Sequence, residues 1–203
     1  VIIISFSGID GSGKSTLINK IKEKYINKKI NVIHLFSEKV SPHSKITEGL
    51  ISKFLKKFIQ IDEKSKFKYL KLVIGLLSFL IESWVFYFQI KKSNFDIVIL
   101  DRYYYDYLVN FIVKMKYNSF YTKLSKFFPK CNISFILYVE PKISYQRKKE
   151  RNLKELEYLN TTFLKLSNEL NIKIINTNKD IKEYFNEIIN DINKILNNEK
   201  NYQ

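Results

Sequence analysis

The stretch FSGIDGSGKST, residues 6–16, holds three of the five glycines in a chain of 203 residues. A short β-branched run, VIIIS, precedes it, and apolar residues at helical spacing follow it: Leu17, Ile18, Ile21, Tyr25 and Ile26. The glycines therefore mark a strand-to-helix turn. In this position the pattern GxxxxGK[ST] is typical of a loop that binds phosphate groups.

Each residue type in this loop has a chemical reason. Glycines let consecutive backbone N–H groups turn toward an anion, and the start of the following helix adds the positive end of its dipole. Lys14 is expected to reach the β- and γ-phosphates of a nucleoside triphosphate, and the Ser15 hydroxyl to ligate Mg²⁺. We predict a nucleoside triphosphate site formed by the consecutive residues Gly8, Ile9, Asp10, Gly11, Ser12, Gly13, Lys14, Ser15 and Thr16.

Length and composition limit the classes of protein that the chain can belong to. With 203 residues, 45% of them hydrophobic, it has material for one α/β domain with a single core. The lone Cys131 excludes an internal disulfide and suits a reducing compartment, and no signal peptide precedes the first strand. We therefore expect a cytoplasmic protein.

The formal net charge of +15 calls for an anionic partner. Polyphosphate substrates, nucleic acid and anionic membranes are all candidates, but no nucleic-acid-binding motif accompanies the charge, so we predict no specific nucleic-acid partner. The apolar run at residues 70–90 is almost long enough to span a bilayer. Because Lys71 and Glu82 interrupt it and a turn follows, we predict no membrane insertion but a buried helix or one that covers an oligomer interface.

A second group of charged residues follows at residues 95–106, FDIVILDRYYYD. Four consecutive apolar residues, 97–100, predict a central parallel strand that is buried on both faces, and the run ends in Asp101. A carboxylate at this sheet edge is placed to meet Mg²⁺ or its waters. Arg102 follows directly, which suggests one group for a metal ion and one for a second anion.

Further along the chain, residues 132–139 (NISFILYV) and 172–177 (IKIINT) predict two more strands. Between them, PKISYQRKKERN predicts a basic helix on which Arg147 and Arg151, four residues apart, share a face. Like charges so placed are stabilised by an anion between them, such as a triphosphate during transfer, although a solvated basic helix would show the same pattern. Strands that alternate with helices predict an open parallel sheet covered on both faces.

With these residues in place, the chain resembles the thymidylate kinase family of P-loop nucleoside monophosphate kinases. GIDGSGKST is similar to that family's GxDGxGKST loop, VILDRY to its DRY motif, and EPKISYQRKKER to the entry of its lid. The resemblance implies a three-layer α/β P-loop NTPase fold with a parallel five-stranded sheet and helices on both faces. It also implies one kinase domain over residues 1–196 with a short basic lid at residues 141–157, followed by a polar tail at residues 197–203.

The implied activity is ATP-dependent phosphoryl transfer to a nucleoside monophosphate, namely dTMP to dTDP, with ATP and Mg²⁺ as cofactors, by a homodimer. Arg102 would hold the acceptor's phosphate. Arg147 and Arg151 would close over the transferred group, because Gly11 stands where some relatives have Arg. The implied catalytic residues are Lys14, Asp101, Arg102, Arg147 and Arg151; the metal ligands are Ser15 and Asp101; and the acceptor contacts are Asp10, Lys39, Arg102 and Tyr103.

The chain departs from the family's pattern at three places, and the first two affect the acceptor side. Its REPGG stretch has no clear counterpart in LFSEKVSPHSK, where Lys39 is the nearest cation. Its thymine-reading Arg is absent from FLIESWVF, and YYDYLVN replaces a Ser-containing turn. A deoxynucleoside kinase, or another small-molecule P-loop kinase, with Glu38 as general base therefore stays an alternative. A degenerate nucleotide-binding module that docks an anionic partner is a third.

Overall fold

A computed structural model describes residues 1–35, 68–114, 123 and 125–200 of the chain. These residues form two compact units. The first comprises residues 1–35, 94–114, 123, 125–126 and 130–200, and the second residues 68–93 and 127–129. The first unit contains the five strands and every described residue of the candidate site.

Five parallel strands form a single sheet in the order β2-β3-β1-β4-β5. Every residue of β1 and β3 is buried, as expected for central strands with a helix layer on each face. The predicted α/β class with a five-stranded parallel sheet is confirmed. The strands are β1 (Ile2–Ser7), β2 (Ile30–His34), β3 (Ile97–Asp101), β4 (Ile133–Tyr138) and β5 (Lys173–Asn176).

At least one described helix stands between each pair of successive strands, as parallel pairing requires. They are α1 (Lys14–Lys24), α2 (Lys68–Lys91), α3 (Tyr104–Lys114), α4 (Pro141–Arg147), α5 (Leu153–Leu170) and α6 (Ile181–Lys200). A single turn of 3₁₀ helix covers Ser125–Phe127. The unit that holds the site thus has α1 and α6 in one layer of its core, while α5 packs against α3, β4 and β5.

The alternation of side chains along β1 separates two packed faces. Ile2, Ile4 and Phe6 pack with apolar residues of α1 and α6, and the Phe6 ring stacks on that of Phe135 with centroids 5.4 Å apart. Facing the other way, the Ser5 hydroxyl donates to the Ser134 hydroxyl at 2.8 Å. Burial on both faces leaves the ends of the strands as the accessible part of the sheet.

Strand register brings the carboxyl ends of β1, β2 and β3 together. Asp101 pairs with Phe6 on one side and with His34 on the other. The chain then turns at Arg102, whose backbone N–H donates to the Phe6 carbonyl at 2.9 Å. Residues that follow these strands therefore meet at one edge, where parallel sheets bind their ligands.

The basic segment after β4 is not one helix, so the prediction that Arg147 and Arg151 share a helical face is wrong. Helix α4 ends at Arg147, and Lys148 has an extended backbone. A new helix begins after Asn152, whose side chain accepts a hydrogen bond from the Glu155 N–H at 2.9 Å. Asn is a strong N-cap residue, and a break also separates the crowded like charges that a continuous helix would stack.

Helix α2 lies in the second unit and contains the apolar run at residues 70–90. Within this unit, the Trp84 indole N–H donates to the Phe127 carbonyl at 3.0 Å. Among the described residues, no helix has the length and apolar character needed to cross a membrane.

Candidate nucleotide-binding site

The glycine loop joins β1 to α1 and depends on a close approach of two backbones. Gly8 has φ +139°, and a Cβ atom at this position would lie 2.5 Å from the Leu137 carbonyl oxygen of β4. Gly13 forms the N-cap of α1 in the left-handed region, with φ +88°. Gly8 therefore requires glycine both for space and for its backbone conformation, and Gly13 for its conformation alone.

Lys14 is buried within this loop. Its Nζ donates to the carbonyl oxygens of Gly8 at 2.7 Å and Ile9 at 2.9 Å, and to the Ser12 hydroxyl at 3.2 Å. Burial lowers the pKa of Lys14 to about 8, and the nearby Arg102 guanidinium acts in the same direction. The loop thus holds its cation in a fixed place.

The first turn of α1 presents two hydroxyls beside that cation. Ser15 and Thr16 are both exposed, directly after the buried Lys14. A helix N-terminus with free N–H groups and exposed hydroxyls is suited to bind the oxygen atoms of a polyphosphate.

Asp101 ends β3 with its two carboxylate oxygens in different surroundings. Its Oδ2 lies 2.8 Å from Nδ1 of His34, the last residue of β2. Its Oδ1 is buried and has no hydrogen-bond partner among the described residues. A buried carboxylate oxygen with no protein donor is the kind of atom that a metal ion or its water satisfies.

Arg102 adopts a left-handed backbone conformation with φ +70°, which is uncommon for a residue with a side chain. Its guanidinium forms a short ion pair with Asp10 of the loop, and its Nη1 lies 3.7 Å from Oδ1 of Asp106. Burial by itself would lower the pKa of Arg102, but Asp106 and Asp10 outweigh burial and hold the pKa above its usual value.

Asp10 is the carboxylate that several cations share. Besides Arg102 it faces Arg151, whose Nε lies 3.8 Å from its Oδ2. Burial would raise the pKa of Asp10, but Arg102, Lys14 and Arg151 together hold it below its usual value. Asp10 therefore stays ionised at the centre of the cationic group.

The predicted lid residues reach the loop from α4 and from the segment after it. Arg147 is exposed, and its Nη1 donates to the Gly11 carbonyl at 3.0 Å, while the Ser144 hydroxyl donates to the Asp10 carbonyl at 2.6 Å. Arg151 pairs with Glu155 and donates to the Asn110 side-chain oxygen at 3.2 Å. The two arginines converge on the loop although they do not share a helix.

The structure therefore brings six of the predicted charged residues to one sheet edge. Three other predicted residues, Tyr103, Lys39 and Glu38, are not counted in this group. Tyr103 is 2% exposed, packs against Tyr104 and Tyr105, and has its hydroxyl beside Cys131, so its phenol is not among the groups at this edge. Lys39 and Glu38 lie outside the described residues. The six are Asp10, Lys14, Asp101, Arg102, Arg147 and Arg151.

Sequence reasoning missed two residues of this group. Asp106 lies under Arg102, and its Oδ2 accepts from the Tyr103 N–H at 3.0 Å. An acid at the third position of a helix is a known capping signal and marks it in the sequence. His34 had no local signal, because only the pairing of β2 with β3 places it against Asp101.

Within the described ranges, no three His, Cys, Asp or Glu side chains are grouped so as to hold a metal ion by themselves. The group is cationic with interspersed carboxylates, and it surrounds a glycine-rich loop at the carboxyl edge of a parallel sheet. This combination of fold and site defines a P-loop nucleotide-binding protein.

The chain belongs to the thymidylate kinase family, whose family model matches residues 6–188. It is 27% identical to a protein of Saccharolobus solfataricus named "Probable thymidylate kinase 1", over 96% of this chain and 98% of that protein. It is 26% identical to "Probable thymidylate kinase" of Methanocaldococcus jannaschii, over 93% of this chain and 94% of that one.

Solved structures show the same fold. Thymidylate kinase from Candida albicans superposes with a TM-score of 0.63 at 19% identity, covering 100% of this chain and 93% of that chain. Deoxyadenosine kinase from M. mycoides superposes with a TM-score of 0.55 at 19% identity, covering 95% of this chain and 100% of that one. The resemblance deduced from the sequence motifs is thus confirmed.

Proposed function

We propose that the protein transfers the γ-phosphoryl group of ATP to a nucleoside monophosphate, with dTMP converted to dTDP. The observation that carries this proposal is the position of Arg102, which is ion-paired to Asp10 of the glycine loop at the end of a central strand. A guanidinium offers paired donors that match phosphate oxygens, and it discriminates against an uncharged 5′-hydroxyl. An acceptor phosphate at Arg102 would lie next to the donor loop.

The roles proposed for the other residues follow from their charge and burial. Lys14 and the loop N–H groups would bind the phosphates of ATP, and the exposed Arg147 would neutralise charge on the transferred group. Arg151 would act with it, held in place by Asn110 and Glu155. Asp10 and Lys39 would contact the acceptor.

The residues present fit a Mg²⁺ site. Oδ1 of Asp101, which has no hydrogen-bond partner in the described part of the chain, and the exposed hydroxyl of Ser15 are hard oxygen ligands. Mg²⁺ commonly uses one or two such groups together with substrate phosphates. When bound, the ion would neutralise part of the phosphate charge. We expect excess chelator to abolish turnover and added Mg²⁺ to restore it; full activity in the chelator would contradict this assignment.

The experiment that tests the acceptor is an assay of ADP release with dTMP and thymidine side by side. Arg102→Ala should raise the KM for dTMP far more than the KM for ATP, and Glu38→Gln should change little. Efficient phosphorylation of thymidine that depends on Glu38 would instead support a deoxynucleoside kinase, the alternative favoured by the shared fold with deoxyadenosine kinase. No turnover with any nucleoside or monophosphate would support the degenerate binding module.

The exposed face of α2 supports a homodimer. One side of this helix carries large, solvent-exposed apolar side chains: Leu77, Ile81, Trp84, Val85 and Phe88. A second copy of the chain would bury this face, and apolar faces of this kind mark interfaces. Ile81→Lys should convert the dimer to a monomer in analytical ultracentrifugation, whereas Gln89→Lys, exposed on the same helix, should not. A monomeric wild-type protein would contradict the proposal.

The remaining partner and location proposals rest on composition. Nucleotide polyphosphates would be the anionic partners of a chain with a net charge of +15, with no specific nucleic acid among them. A lone cysteine suits the reducing cytoplasm, where such substrates occur.

A further inference from the structure

Asp106 is the most buried charged side chain near the glycine loop, with 1% of its surface exposed. Its Oδ1 accepts from the Gly8 N–H at 3.3 Å and lies 3.7 Å from Nη1 of Arg102. Its Oδ2 accepts from the Tyr103 N–H at 3.0 Å. One carboxylate thus touches the first residue of the loop, the guanidinium and the start of α3.

Helix capping accounts for only one of the two carboxylate oxygens, because only Oδ2 accepts from the Tyr103 N–H at the start of α3. The other oxygen, Oδ1, lies between the Gly8 N–H and the Arg102 guanidinium, and the resemblance leads one to expect a Ser-containing turn here. Burial raises the pKa of Asp106, although Arg102 and Lys14 act in the opposite direction. A buried carboxylate is costly unless cations compensate it, and the cation in contact with Asp106 is the Arg102 guanidinium, 3.7 Å away.

The backbone around Arg102 needs support from both sides. Its left-handed conformation costs free energy that neighbouring contacts must offset. The Arg102 N–H is bonded to the Phe6 carbonyl, and the N–H of the next residue is bonded to Asp106. Asp106 therefore holds both the strained turn and the guanidinium that projects from it.

We propose that Asp106 is a positioning residue for the acceptor, because its carboxylate fixes the Arg102 guanidinium against the start of the glycine loop. This inference rests on the proposed function, in which Arg102 binds the acceptor's phosphate. Asp106 would then set the place of the acceptor phosphate relative to the donor phosphates, since its Oδ1 is shared by Gly8 and Arg102.

The first test is a double-mutant cycle on dTMP binding, measured by calorimetry and by KM. Asp106→Asn retains the shape and an acceptor oxygen but removes the charge. We expect it to raise the Kd and KM for dTMP by about tenfold or more, with a much smaller change in the KM for ATP. In the Arg102→Ala background, Asp106→Asn should change the Kd for dTMP by less than about twofold. The guanidinium through which Asp106 affects the acceptor is absent from that variant.

Asp96→Asn is the matched control. The Asp96 carboxylate also accepts a backbone hydrogen bond, from the Lys29 N–H at 2.7 Å, but it lies just before β3, at the opposite edge of the sheet. This substitution should leave the Kd and both KM values unchanged. Asp106→Ser provides a second uncharged variant in case the Asn side chain disturbs the fold.

The second test needs no acceptor and uses thermal unfolding. Arg102→Ala leaves the Asp106 carboxylate buried without its guanidinium partner, so adding Asp106→Asn to that variant should raise the unfolding temperature. In the otherwise wild-type protein, Asp106→Asn should lower it. A residue that only caps α3 would lower the unfolding temperature in both backgrounds.

The outcomes separate this inference from the proposed function. If wild-type protein neither binds nor phosphorylates dTMP, the proposed function fails, and the positioning of an acceptor fails with it. If wild-type protein uses dTMP but Asp106→Asn leaves its Kd unchanged, or changes it equally with and without Arg102, only the positioning role of Asp106 is overturned.

Discussion

The glycine loop, residues 8–15, and the lid segment, residues 141–157, bring cations to the same sheet edge by different physical means. In the loop, Lys14 is buried and bonded to three groups that lie within six residues of it. In the lid segment, Arg147 and Arg151 are held by Gly11 and Asp10, more than 130 residues earlier in the chain. Lys14 is thus held by bonds within the loop, whereas both lid arginines reach the loop through residues distant in the chain, although Arg151 also pairs with the local Glu155.

This difference explains why the glycine loop follows its sequence motif closely, whereas the lid segment does not form the single helix that its sequence predicted. The three bonds of the Lys14 ammonium are to residues 8–12, so the motif by itself indicates where this cation lies. The lid segment instead follows the strongest local signal, the Asn152 cap, which divides the expected helix into α4 and α5. Its arginines still reach the loop, because Arg147 at the end of α4 donates to the Gly11 carbonyl and Arg151, just before α5, faces Asp10.

The largest effect is expected at the buried cation. Lys14→Ala should lower kcat/KM by about a thousandfold or more, because it removes the charge that follows the developing charge of the γ-phosphoryl group. Circular dichroism should show an intact fold, since the other loop contacts remain. Turnover close to that of wild type would show that the loop does not supply the decisive charge.

Replacing Gly8 by alanine should destabilise the protein more than replacing Gly13. Gly8→Ala places a Cβ atom 2.5 Å from the Leu137 carbonyl, so a backbone must shift, and we expect unfolding to become easier by more than about 2 kcal/mol. Gly13→Ala is the comparison, since its Cβ would meet nothing closer than 3.8 Å and only the conformational cost remains. Equal losses in urea unfolding of the two variants would refute the role of the close approach.

The lid arginines should act mainly on the rate. Arg147→Ala and Arg151→Ala should each lower kcat by about a hundredfold, with a smaller rise in the KM for ATP, because a charge on the transferred group matters most in the transition state. Lys148→Ala is the matched control, since among the described residues the Lys148 side chain pairs with the exposed Glu150, and its loss should change kcat little. A pure rise in the KM for ATP would assign the arginines to ground-state binding instead.

The smallest effect tests the helix break itself. Asn152→Ala removes the cap of α5 and should destabilise the protein by about 1 kcal/mol in urea unfolding. Asn168→Ala, at an exposed position inside the same helix, should be neutral or slightly stabilising. A stabilising effect of Asn152→Ala would indicate one continuous helix from Arg147 onward.

Local patterns in the sequence were sufficient for the strands and for the glycine loop, but not for the end of α4 at Arg147. The run of apolar residues at β3, the glycine spacing and the position of Asp101 at a strand end each depend on neighbours a few residues away. Hydrophobic periodicity and turn chemistry act over that range, so the parallel sheet and the phosphate loop could be predicted without coordinates.

Tertiary structure alone decided which charges meet. The pair of Asp10 with Arg102 joins residues 92 apart, and the bond from Gly8 to Asp106 joins residues 98 apart. No periodic pattern encodes such pairs. They follow from the order of strands in the sheet and from the need of each buried charge for a partner, and that need is met only when the folded chain brings distant residues together.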